Sequence, residues 1–113
     1  MQNKIYSFIG LAMKAGAIVS GEDACERALK SGKLRLIIVA EDASQNTKKK
    51  FNDMCIYRQV DIRFYGHKEL IGRYIGKDIR AVIGLSDKGF SKKLIELIES
   101  TDLQYGGEQI GKI

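Results

Sequence analysis

The sequence predicts an α/β domain in which a central sheet carries helices on both faces. Apolar residues switch along the chain between helical spacing and short continuous runs rich in Ile and Val. The two kinds of segment alternate from one end to the other, the order that stacks helices against a sheet. Glycines at positions 16, 32 and 76 follow helical segments, where a residue free to take a left-handed cap ends a helix well.

Ile5, Phe8, Ile9, Ala12 and Met13 lie at helical spacing, so Lys4 to about Lys14 reads as an amphipathic helix ended by Gly16. Ile18-Val19 is too short for more than an edge strand. A second helix runs from Glu22 to about Ser31, with Ala24, Ala28 and Leu29 inward, Ser20 or Gly21 as start and Gly32 as stop. Leu34 to Ala40 is a near-continuous apolar run, the mark of a strand covered on both faces. A polar loop, Glu41 to Thr47, leads to a helix from about Lys48 to Arg58 with Phe51, Met54 and Cys55 inward. Val60 to Tyr65 alternates as a strand. His67 to Ile75 is a helix with Leu70, Tyr74 and Ile75 inward, and Ala81 to Leu85 is the last strand. Phe90, Leu94, Leu97 and Ile98 line a final helix to about Ser100. The polar tail 101–113, with Gly106, Gly107 and Gly111, is expected to be frayed or loosely docked.

A chain of 113 residues fits one domain, here residues 1–100 with the tail beyond, and supports a core without staples. Hydrophobic residues are 44% and charged residues 29%, an ordinary globular balance. No apolar stretch approaches membrane-helix length, and the first residues show no signal-peptide cleavage pattern. Cys25 and Cys55, the two cysteines, read as reduced cytosolic thiols buried as small apolar groups. With His67 the sole histidine, the set falls short of the roughly four ligands a zinc site takes, and neither a metal nor a cofactor is expected.

The net charge is +5, and its location matters more than its size. Residues 1–45 carry six basic and five acidic side chains, residues 81–113 four and five, and residues 46–80 nine and four. A localised basic surplus is an electrostatic footprint for a polyanion, and equally the composition of a solvated surface. Lys48-Lys49-Lys50 opens the third helix on the wrong end for its dipole, as a solvated start or a phosphate-attracting patch. Catalysis has little support: nothing ties His67 to either cysteine as a base. Gly72-Arg73-Tyr74-Ile75-Gly76-Lys77 has a phosphate-loop look but the wrong spacing and place, so Gly72 reads as a packing position and Gly76 as a cap. The turn Val19-Ser20-Gly21-Glu22-Asp23 is more informative. A helix start offers free N–H groups, and Glu22 or Asp23 there serves either the dipole or the edge of a base. Arg27, one turn on, pairs with Asp23 or reaches a ligand.

Together these segments resemble the ribosomal protein L7Ae/L30e superfamily, closest to its short bacterial YlxQ-like branch. The resemblance rests on the Gly-started second helix, on Lys33-Leu34-Arg35-Leu36-Ile37-Ile38-Val39-Ala40-Glu41-Asp42-Ala43-Ser44, and on Glu69-Leu70-Ile71-Gly72-Arg73-Tyr74-Ile75-Gly76 before the closing strand. It covers roughly residues 4–100. It implies a three-layer α/β/α sandwich with a mixed four-stranded sheet, and non-catalytic binding of structured RNA, ribosomal or kink-turn, in the cytoplasm. A kink-turn is an internal loop flanked by sheared G·A pairs. The implied RNA-binding residues are Gly21, Glu22, Asp23 and Arg27 at the second helix, Glu41 and Ser44 after the central strand, and Lys77, Ile79 and Arg80 before the last one. Such a target suits the physics of RNA, whose A-form helices hide base edges that bulges and loops expose.

The sequence departs from the family pattern in one place. Asp23 and Ala24 stand where kink-turn binders carry Asn and Glu, Arg27 stands for a Lys, and Val19 and Ser20 stand where lysines often precede the glycine. Each lost charged or bidentate contact costs about 1–3 kcal/mol, tenfold or more in affinity, unless Glu22 supplies the acceptor from a shifted position. The alternative expectation is a protein-interaction module on the same fold that no longer reads kink-turns.

Overall fold

A computed structural model describes the backbone of residues 3–112 and the side chains of residues 4–100. The elements run α1 (Asn3–Lys14), β1 (Ile18–Ser20), α2 (Glu22–Lys30), β2 (Leu36–Val39), α3 (Gln45–Arg58), β3 (Asp61–Phe64), α4 (Lys68–Tyr74), β4 (Val82–Leu85) and α5 (Lys88–Lys112). The strands form one mixed sheet in the order β1-β4-β2-β3. β4 is antiparallel to both neighbours, with Ser20 opposite Ile83, Val39 opposite Val82 and Leu36 opposite Leu85. β2 and β3 are parallel, Leu36 facing Asp61. On one side of the sheet α1 packs on α4 and α5; on the other α2 and α3 pack on each other and on the strands. This is the three-layer sandwich with a mixed four-stranded sheet.

Burial follows from that layering. Every residue of β2 and β4 is buried, as strands covered on both faces must be, whereas the edge strands β1 and β3 have none. Ile9, Leu29, Phe51, Ile71 and Leu94 bring the helices down on the sheet. Cys25 and Cys55 are fully buried and unlinked. No helix among the described residues is long and apolar enough to cross a membrane.

Four sequence readings shift. α3 begins at Gln45, three residues early, because Ser44 caps it: the Ser44 hydroxyl accepts the Thr47 N–H at 3.1 Å. The lysine triplet therefore lies a turn inside the helix. Lys49 pairs with Asp53 and Lys50 with Glu26, both at 2.7 Å, so two of its three charges hold carboxylates of the protein itself. Tyr74 is 38% exposed, its ring stacked on Tyr6 at 5.1 Å, so it covers α1 instead of entering the core. Finally, α5 continues past Ser100 to Lys112, while the expected docking of the tail falls on side chains outside the described residues.

Candidate functional site

The site is built where β1 turns into α2. Gly21 forms the turn at φ 98° and ψ 153°, a region essentially reserved for glycine. Its N–H donates to the Val82 carbonyl at 2.9 Å, which ties the turn to the central strand β4. Gly21 has no side chain to cap α2, so the first N–H groups of the helix are left without a side-chain cap. Glu22 is held from the next helix. The Ser44 hydroxyl donates to Thr47 Oγ1 at 3.0 Å, and Thr47 Oγ1 donates to Glu22 Oε2 at 2.9 Å. Thr47 is buried, so this relay fixes an exposed carboxylate from beneath. Asp23 and Arg27 form no ion pair among the described residues, and both are exposed. Behind them the Cys25 thiol is pushed up to about 12 by burial, which keeps it protonated.

The opposite wall is the loop entering β4. α4 and this loop approach so closely at Gly72 that a Cβ there would stand 1.6 Å from the Asp78 carbonyl oxygen. The Lys77 N–H donates to the Gly72 carbonyl at 2.8 Å, and the Arg80 N–H to the Lys68 carbonyl at 3.0 Å. α4 is itself pinned at its start. The Asp42 carboxylate accepts the Lys68 N–H at 2.9 Å, and Tyr6 Oη accepts the His67 N–H at 3.0 Å. His67 thus begins the helix, exposed, with Nδ1 4.0 Å from Asp42. Ile79 stands out 56% exposed, a large apolar side chain in water.

Between these walls lies a concave groove of about 530 Å³. Gly21, Glu22, Asp23, Arg27, Ile79 and Arg80 all line it, with Ser20, Ala24 and Ala81 completing the floor. Six of the nine expected residues, from segments more than fifty positions apart, therefore share one surface. Lys77, Glu41 and Ser44 do not line it. Lys77 belongs to the turn after α4, and Ser44 acts through Thr47 on Glu22. Glu41 is exposed, its N–H donating to the Gly66 carbonyl. Lys68 lines the groove and was not among the expected residues. Its signal in the sequence was a cation in the first turn of a helix, where the dipole disfavours one. The lining carries three cations, Arg27, Lys68 and Arg80, and two carboxylates, Glu22 and Asp23. No cluster of metal-ligating side chains occurs among the described residues.

The sequence profile of the Ribosomal protein L7Ae/L30e/S12e/Gadd45 family matches residues 3–95. The chain belongs to this family. Within it, the chain is 38% identical to the RNA-binding protein YlxQ of Bacillus subtilis over 94 residues, covering 83% of this chain and 94% of that protein. It is 41% identical over 98 residues to the RNA-binding protein YlxQ of Enterococcus faecium, covering 87% and 94%. A solved structure of a Bacillus halodurans protein of unknown function superposes with a TM-score of 0.83 at 40% identity, over 87% of this chain and 99% of that one. The 15.5 kD RNA-binding protein of Giardia lamblia shares the fold, with a TM-score of 0.72 at 19% identity over 84% of each chain.

Proposed function

We propose that this family member binds structured RNA, ribosomal or kink-turn-like, through the groove between the start of α2 and the loop before β4, without catalysing a reaction. The convergence of Gly21–Arg27 with Ile79–Arg80 and Lys68 on one concave surface carries this reading. The relatives named RNA-binding proteins support it. The chemistry fits a splayed RNA element. Arg27, Lys68 and Arg80 meet phosphates, and the uncapped start of α2 adds donors. Ile79 packs on an unstacked base. Glu22, fixed by Thr47, presents a carboxylate that accepts the N–H edge of a guanine, and so takes the part that Ala24 cannot. A cytoplasmic protein is the reading that work on ribosomal or other structured RNA supports.

A gel-shift titration compares a kink-turn RNA with the same RNA after its G·A pairs are replaced. The expected outcome is binding to the first that weakens at least tenfold on replacement and falls steeply with salt. Arg27→Ala, Lys68→Ala and Arg80→Ala weaken it more than Lys14→Ala and Lys93→Ala. Equal binding to both RNAs removes the kink-turn part. Equal effects of the two sets of variants remove the face. Binding to neither RNA favours the protein-interaction alternative.

A further inference from the structure

A second concavity, about 930 Å³, lies at the other end of the sheet, where Leu36 pairs with Leu85 and where the chain leaves α2 and α3. Its lining is rich in charged groups, of which Arg58 donates to the Lys30 carbonyl at 3.4 Å. Arg35, Arg58, Lys88 and Lys92 border it together with Asp61 and Glu96, and among the described residues none of the six is in an ion pair. The cations outnumber the carboxylates two to one. Tyr57 on the rim is 82% exposed, an unusual place for a large ring, and the Arg58 guanidinium sits 5.8 Å from its centroid. The next residue, Gln59, holds a left-handed φ of 59°, which turns the chain sharply after these two side chains. In the wall, Ser91 is 4% exposed and its hydroxyl is the one buried side-chain polar atom among the described residues without a hydrogen-bond partner.

An aromatic ring in water, a guanidinium beside it and further cations around a concave wall together match one ligand chemistry: a flat base joined to a phosphate. We propose that this groove is a second binding site, for a ribonucleotide whose base stacks on Tyr57 and whose phosphate is held by Arg35, Arg58, Lys88 and Lys92. The nucleotide is either free or one unit of a single strand. The volume lies within the range of about 300–1,000 Å³ typical for one small ligand. Stacking tolerates any base, so the site selects nucleotides as a class and not a sequence. The inference stands on its own residues and does not need the groove at α2.

The test is an amide NMR titration of the full chain with uridine 5′-monophosphate, with hexauridylate and with inorganic phosphate. Uridine monophosphate is expected to shift the amides of Arg35, Tyr57, Gln59, Ser91 and Lys92 and to leave Gly21 and Arg80 in place. Tyr57→Ala weakens nucleotide binding about tenfold and leaves phosphate binding unchanged. Arg35→Glu and Lys92→Glu abolish both, with an otherwise native spectrum. Tighter binding of hexauridylate assigns the site to a strand, and equal binding per nucleotide to a free ligand. The proposal is overturned by an absence of shifts at these amides in millimolar nucleotide, by shifts confined to Gly21 and Arg80, by phosphate binding as well as the nucleotide, or by indifference to Tyr57→Ala. Loss of kink-turn binding at Gly21 and Arg80 is a separate result that leaves this one standing.

Discussion

Gly72→Ala sets two effects of opposite sign against each other. Gly72 lies within α4, where alanine is intrinsically favoured by about 1 kcal/mol and also reduces the freedom of the unfolded chain. Against this, the added Cβ would lie 1.6 Å from the Asp78 carbonyl oxygen and 2.6 Å from its carbon. Both are backbone atoms with no rotamer to escape into. A real contact needs more than 3 Å, so the loop before β4 has to retreat by about 1.5 Å or more. Overpacking of that kind costs typically 1–3 kcal/mol and occasionally more, and here it also strains the 2.8 Å bond from the Lys77 N–H to the Gly72 carbonyl. The clash outweighs propensity, for a net loss of about 2 kcal/mol. In a domain of this size that lowers the melting temperature by roughly 8–16 °C. Urea denaturation measures the loss, and Gly32→Ala is the control. Gly32 has a left-handed φ of 73° but open space around a Cβ, so it suffers strain alone, about 1 kcal/mol. An alanine at 72 as stable as the native glycine would refute the close approach that positions Ile79 and Arg80.

Three further outcomes follow from the same structure. Gly21→Ala costs about 1–3 kcal/mol through backbone conformation alone, since nothing lies within 4 Å of a Cβ there, and it weakens RNA binding beyond the loss in stability; a thermal melt and a gel shift on one sample separate the two. Thr47→Val cuts the relay from Ser44 to Glu22 at a stability cost of about 1 kcal/mol, because water replaces the lost partners of exposed groups, and weakens RNA binding five- to tenfold; unchanged affinity would mean that Glu22 needs no anchoring. Stability falls on the alkaline side. Burial raises Cys25 from an ordinary 9.0 to about 12 and Cys55 to about 11, so the unfolded chain loses its thiol protons first. The stabilisation is complete below pH 9 and declines as pH rises toward 12, by roughly 1.4 kcal/mol per unit for each thiol while both shifts act. Urea midpoints at pH 8 and pH 10.5 check it, with a shallower slope expected for Cys25→Ala.

The sequence made the layers legible wherever a residue's fate depends on near neighbours. The unbroken apolar run through β2 implied burial on both faces, and all four of its residues are buried. Gly72 and Gly76 read as packing and cap, and in the structure the first leaves no room for a Cβ, which would stand 1.6 Å from the Asp78 carbonyl oxygen, while the second has a φ of +74°. Misreadings arose where long-range partners decide. The start of α3 is polar, so hydrophobic periodicity passed over it, while a serine cap and a buried threonine define it. Tyr74 matches the helical period, yet its neighbour is Tyr6 on another helix. The lysine triplet looked like free charge until Glu26 and Asp53 were placed beside it. That six of the expected residues line one groove was legible through family resemblance, since two distant short segments share no local signal. Lys68 left only the weak signal of a cation in a helix's first turn, and the groove around Tyr57 depends on several segments meeting in space, of which a single sequence carries no mark.

The place of β4 has a consequence in time. It is the last strand to be made and yet it lies inside the sheet, between β1 and β2. Until residue 85 has been synthesised, β1 has no partner strand, and the Gly21 N–H has no Val82 carbonyl to fix the turn into α2. The wall bearing Ile79 and Arg80 is equally absent. Pairing across such a separation is slow compared with local helix formation, so the groove at α2 is assembled late. A nascent or prematurely ended chain therefore holds the α2 wall without its anchor, lacks the other wall, and has no groove. Fragments stopping short of β4 are expected to be silent toward RNA, and the groove exists only in molecules whose synthesis has passed residue 85.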